Sequence, residues 1–154
     1  MKGRAELLNE IRYAERISER TARLYRNVQA TATWLAIVSG SGAAVALAQQ
    51  LPAWVTWVGG TLAVAFTAAI IVVSPSNKAA ANEADRKRFS KLRADSHKLT
   101  DTKLAEELDR AREGTCQEVE ALRDVTWNDV MIEIGRPEAR VTLTLFQRIL
   151  AKLA

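Results

Sequence analysis

The sequence predicts an all-α protein: a transmembrane helical hairpin with long amphipathic cytoplasmic helices that form a bundle and assemble as an oligomer. Two features of the 154 residues carry this expectation. Residues 27–77, 51 in a row, contain no Asp, Glu, Lys or Arg, so all 22 basic and 18 acidic residues lie outside that stretch. On either side, apolar residues recur at alternating three- and four-residue steps, the spacing of one helix face. The mean hydropathy of −0.10 averages these two compositions and describes neither.

Residues 1–28 read as an N-terminal cytoplasmic amphipathic helix, with Leu7, Ile11, Ala14, Ser18, Thr21, Tyr25 and Val28 on one face. Nothing between Arg20 and Thr33 breaks it, so it should run straight into the first span. A crossing takes about 20 apolar residues. The uncharged stretch holds two, at 29–49 and 53–74, separated by Gln49-Gln50-Leu51-Pro52. Pro52 suits the start of the second helix, because the N–H it lacks would have no helical partner there. Ser74-Pro75-Ser76-Asn77 forms the exit.

A small soluble domain could not cover two helices that are apolar all round, which argues against a buried hairpin in a globular core. Ala46-Leu47-Ala48 has the small-x-small form of a signal cleavage site. The charged region before it is too long for a signal peptide, however, and a second apolar span follows at once. Basic residues crowd both flanks, from Lys2 to Arg26 and from Lys78 to Arg93, and the connecting loop has none. By the positive-inside rule both termini are cytoplasmic and only a tight turn is exported. Trp54 and Trp57 then fall near the outer interface and Trp34 near the inner one, where indoles are favoured.

Residues 76–126 read as a charged cytoplasmic helical region. One helix covers 79–98, with Phe89, Leu92 and Leu99 as its sparse apolar positions. Thr100-Asp101-Thr102 supplies a turn and N-cap. A further helix covers 102–126, with Leu104, Leu108, Ala111, Thr115, Val119 and Leu122 on one face. Such thin stripes need to pack on one another. The basic group Arg86-Lys87-Arg88 is interleaved with acids and has no aromatic platform, so no nucleic-acid partner is expected.

Residues 127–154 form a C-terminal apolar and basic amphipathic segment. Trp127, Val130, Met131, Ile132 and Ile134 are dense, Gly135-Arg136-Pro137 breaks the chain, and a last helix covers 137–153. It carries Val141, Leu145, Phe146, Ile149, Leu150 and Leu153, with Arg136, Arg140, Arg148 and Lys152 at multiples of four. A basic amphipathic helix can lie on the inner membrane surface or dock a partner. The apolar surface at 127–134 favours docking of a cytoplasmic protein or of another copy, with Trp127, Met131, Phe146 and Leu150 as candidate docking residues.

Within the spans, Ala32, Ala36, Gly40, Ala44 and Ala48 repeat a small residue every fourth position, and Gly59 and Ala63 offer a facing surface. Small residues let helix backbones approach in lipid, so these form the candidate packing seam, within the hairpin and between copies. Ser39, Ser41, Thr61 and Gln49 are the candidate pore-lining groups, although hydroxyls also satisfy helical carbonyls locally without any pore. No ionisable residue lies in either span, which argues against a proton relay, voltage sensor or ion-coupled transporter.

The lone Cys116 cannot form an internal disulfide. With His97 as the one histidine, too few soft ligands exist for a zinc site. No glycine-rich phosphate loop is present. No catalytic residue, cofactor or metal is expected, and the chain does not read as an enzyme.

The stretch Ile11-Arg12-Tyr13-Ala14-Glu15-Arg16, continued through Leu24-Tyr25-Arg26, is followed by the hairpin, a long charged helix and then Trp127. This order resembles the bacterial SLATT family, two-span membrane proteins associated with nucleotide-signalling and other defence systems and proposed to form pores. The resemblance implies a membrane effector held inactive until a cytoplasmic partner or ligand acts, and it carries over no catalytic residue. The expected function is an oligomeric membrane-perturbing or pore-forming effector controlled through its cytoplasmic helices. Its rival is a non-pore, membrane-anchored scaffold or inhibitor that binds a partner through residues 127–154. A holin-like phage protein is the third option, though holins usually lack so large a cytoplasmic part.

Overall fold

A computed structural model describes residues 2–39, 49–50, 52–116 and 118–154, with only some of the side chains between 56 and 72. Every regular element among these residues is helical. The first, α1 (Arg4–Ser39), has 36 residues, about 54 Å at 1.5 Å per residue. It crosses without a break from the charged N-terminal segment into the uncharged stretch, as its lack of Gly and Pro predicts. Of its expected stripe, Leu7, Ile11, Ala14, Ser18 and Thr21 are buried, joined by Ile17 and Ala22. Tyr25 is half-buried and Val28 exposed.

The second helix, α2 (Ala53–Val73), follows Pro52 directly, and the Val55 N–H donates to the Pro52 carbonyl at 2.9 Å. Ser74 ends it in the left-handed region at φ 47°. Pro75 opens the next helix, α3 (Pro75–Asp95), in the first-turn position where proline costs no hydrogen bond. Helix α3 returns antiparallel to α1, as the cross-links show. Lys78 stands over the Tyr25 ring, Arg26 pairs with Glu83, and Glu15 lies 3.0 Å from Arg93. At the far end the Arg4 guanidinium donates to the carbonyls of Ser96 and Leu99 and to the Asp101 carboxylate. That clamp holds a short 3-10 turn (Ser96–Lys98) and the start of α4 (Asp101–Glu113) against α1.

Leu7, Ile11 and Ala14 of α1, Phe89 of α3, and Leu104, Leu108 and Ala111 of α4 form one buried cluster. The predicted stripes of three separate segments therefore meet in one place. A second short 3-10 turn (Glu120–Leu122) leads into α5 (Arg123–Glu133), which also packs on α1. Arg20 meets Asp129 at 2.5 Å, and Arg16 meets Glu133 at 3.2 Å.

Two helix expectations are corrected. The helix expected over 102–126 stops at Glu113, because Gly114 ends it and the backbone N–H of Cys116 turns to the buried Asp85 carboxylate at 2.9 Å. The helix expected over 137–153 is shorter. After Gly135, at φ 73°, closes α5, a 3-10 turn (Pro137–Ala139) is followed by extended chain to Thr144. Asn128 holds that chain by two bonds, donating to the Val141 carbonyl and accepting from the Val141 N–H, both at 2.8 Å. The last helix, α6 (Leu145–Leu153), starts only where Thr144 and Gln147 form a reciprocal capping box.

Among the described residues, no helix is long and apolar enough to cross a membrane. Of the expected packing and pore residues, Gly40, Ser41, Ala44 and Ala48 lie outside the described residues, as do the side chains of Ser39 and Ala63 and the surroundings of Gly59.

Candidate functional site

Three surfaces could carry function: the uncharged arms, a groove beside α1, and the outer face of α6. On the arms, large apolar side chains face outward. Trp34 is 63% exposed, Ile37 67%, Trp54 69%, Trp57 78% and Val64 71%. Apolar residues exposed side by side on this scale mark a surface that another phase or molecule covers. Hydroxyls here bond within their own helices: Thr31 donates to the Asn27 carbonyl, Thr33 to that of Gln29, and Thr61 to that of Trp57, at 2.8–2.9 Å. Thr61, a candidate pore-lining group, thus spends its proton on the backbone. Gln49 is exposed. In the seam, Ala32 is buried and Ala36 is exposed.

The groove, of about 980 Å³, lies between the first half of α1 and the segment around α5. Tyr13, Trp127 and Met131 give it apolar walls, and Arg112, Arg123, Arg136, Glu6, Glu10 and Asp124 also line it, Arg112 pairing with Glu10 at 2.9 Å. Burial pushes the Glu10 carboxyl up, but hydrogen bonds and charge from Lys2 and Arg112 outweigh it and hold the group below its ordinary value. The Tyr13 phenol is pushed up, first by burial and then by the Glu118 carboxylate, so it stays neutral and able to donate. Tyr13 also lines a smaller cavity of about 250 Å³ with Ser18, Thr21, Asn82 and Cys116. The Arg12-Tyr13 pair of the N-terminal stretch thus places its tyrosine between two cavities. Both signs of charge line the groove, so it favours a ligand with mixed polar and ring surfaces over a simple anion.

The candidate docking residues separate. Met131 is buried, and the half-exposed Trp127 indole donates to the Ala139 carbonyl at 3.0 Å; both also wall the groove. Phe146 is 63% exposed and Leu150 half-buried, both on α6.

Cys116 is half-buried. Burial raises its thiol above the ordinary value, and the Asp85 carboxylate raises it further. Since the thiolate is the nucleophile, Cys116 should be alkylated by iodoacetamide at neutral pH more slowly than cysteine in a short peptide. Its rate should still be rising with pH above 9.0, the ordinary value for this thiol. A rate equal to the peptide's would contradict the burial and the Asp85 contact.

Sequence reasoning missed Asp85, whose buried carboxylate orders residues 114–116, and the Arg4 clamp. It also passed over the spacing Thr144-Leu145-Phe146-Gln147, a legible capping signal that fixes the start of α6. Compared with protein-family models, with curated proteins and with solved structures, the chain matches none.

Proposed function

We propose that this chain is a two-span protein of a bacterial inner membrane, both termini cytoplasmic, acting as an oligomeric membrane-perturbing or pore-forming effector governed by its helical body. The observation that carries the reading is the continuity of α1, whose first half belongs to the buried cluster and whose last thirteen residues carry no charge. A change of packing in the body would reach the uncharged arm through unbroken helix. Helix α2 adds 21 uncharged residues, about 32 Å at 1.5 Å per residue, close to the roughly 30 Å of bilayer hydrocarbon. Among the described residues no helix is long and apolar enough to cross a membrane; the uncharged sequence of 53–73 is what supports the second span. The exposed apolar side chains of both arms and the resemblance to the SLATT family point the same way. The groove beside Tyr13 is where an activating ligand or partner would act.

The test is to express the full chain in bacteria while following membrane potential and recovery in alkali-washed membranes. The expected result is alkali-resistant recovery with depolarisation on activation, and loss of depolarisation, not of recovery, in Ala36→Leu and Gly40→Leu. Alkali-resistant recovery with no depolarisation at any expression level or with any neighbouring gene would overturn the effector reading. Partner capture that disappears when 127–154 is deleted would then favour the scaffold.

A further inference from the structure

We propose that α6 is a membrane-surface helix that lays its exposed face into the headgroup layer of an anionic phospholipid bilayer, beside the point where α1 enters it. The proposal rests on the two-span reading above.

Four observations carry it. First, α6 leaves large apolar side chains open: Leu145 is 76% exposed, Phe146 63%, Ile149 51% and Leu153 47%. At about 100° per residue these four fall within an arc of about 100°, while Gln147 and Ala151 point the opposite way. Second, that opposite side is the one fixed to the body. Gln147 donates to Asp124 at 2.7 Å, and the Ala151 carbonyl accepts from Arg20 at 3.2 Å. Third, the Leu153 carbonyl accepts from the Asn27 side-chain amide at 2.7 Å. Asn27 is the first residue of the uncharged stretch, so the apolar face of α6 ends beside Val28, where the exposed apolar surface of α1 begins. Fourth, Arg148 and Lys152 border one edge of the arc, α6 has no acid, and neither residue makes an ion pair among the described residues.

An apolar face with a cationic edge suits anionic headgroups above acyl chains. Cationic side chains within a Debye length of an anionic leaflet are attracted to it, and the Asn27 bond sets α6 at that height. A second copy fits less well, because a two-fold contact of α6 with itself would set Arg148 and Lys152 of both copies against one another. The sequence alone favoured a protein partner here. The position of Leu153 beside Asn27 moves the balance to lipid.

The experiment uses the full chain with Cys116→Ser, reconstituted in vesicles of phosphatidylglycerol and phosphatidylcholine. Single cysteines from Phe146→Cys, Ile149→Cys, Thr61→Cys and Lys103→Cys each carry an environment-sensitive fluorophore, and spin-labelled lipid is the quencher. Lipid quenching is expected at 146, 149 and 61, and none at 103. Arg148→Gln and Lys152→Gln should each weaken the quenching at 146 and 149, by about fivefold in surface partitioning per charge removed. Quenching at 61 with none at 146 and 149 would overturn this proposal and leave the two-span reading standing. No quenching at 61 would overturn both. Cross-linking between copies through 146 or 149, without lipid quenching there, would assign the face to a second copy and overturn the proposal.

Discussion

Phe89→Ala should cost about 3–5 kcal/mol of stability, the range for deleting a fully buried aromatic ring. Phe89 is 1% exposed and sits in the one cluster that joins α1, α3 and α4. Leu7, Ile11 and Ala14 of α1 and Leu104, Leu108 and Ala111 of α4 share that cluster with Phe89, so its ring is packed between residues of two other helices. The loss falls on a domain whose whole stability is typically about 5–15 kcal/mol. Chemical denaturation of the full chain in detergent, followed by helical circular dichroism, reads this directly. A midpoint shift equal to that of an exposed control such as Lys103→Ala would mean the cluster does not hold the body together. Phe89→Leu, which keeps most of the volume, should recover much of the loss.

Val64→Arg is the second large effect, and it discriminates between two environments. Val64 lies mid-way along α2 and is 71% exposed. If water covers that side chain, a substitution there stays within about 0.5 kcal/mol of neutral. If lipid covers it, an arginine at the helix centre costs about 2.5–3.5 kcal/mol of insertion. The expected outcome is a sharp fall in alkali-resistant membrane recovery, with Val64→Leu unchanged. Equal recovery of the two variants would remove the central support for a membrane hairpin. A purely soluble measurement would not see the difference, because the penalty exists only when the residue must leave water.

Much of the fold was legible in the sequence because helix faces repeat. Leu7, Ile11 and Ala14, then Phe89, then Leu104, Leu108 and Ala111 were each readable from spacing, and the structure brings all seven into contact. Continuity of α1 through Arg26 was legible as well, since no Gly or Pro interrupts it. Periodicity failed at the helix ends after Glu113 and before Leu145. There the apolar spacing carries on, through Thr115, Val119 and Leu122 and through Val141, while the backbone leaves the helix. What decides these ends is a polar side chain taking a backbone N–H: Asp85 for Cys116 and Asn128 for Val141. Such bonds join residues 31 and 13 apart in the chain, a distance over which local patterning is blind. The candidate docking set divides for a related reason. Trp127, Met131, Phe146 and Leu150 look alike as apolar residues, but Met131 is buried, Trp127 is half-exposed with its indole bonded to the Ala139 carbonyl, and Phe146 lies open on α6.

The two arms that leave the body are not mechanically alike. One is a single stiff rod, α1. The other, α2, meets the body through Ser74, a non-glycine residue in the left-handed region, a conformation that costs about 1–2 kcal/mol; its N–H donates to the Ile70 carbonyl and its own carbonyl accepts from the Asn77 and Lys78 N–H groups. The uninterrupted α1 has no such change of backbone conformation along its length, so the turn of the chain between α2 and the body is made at Ser74. The chain therefore leaves the body through unbroken helix and returns to it through one residue whose backbone conformation most side chains avoid.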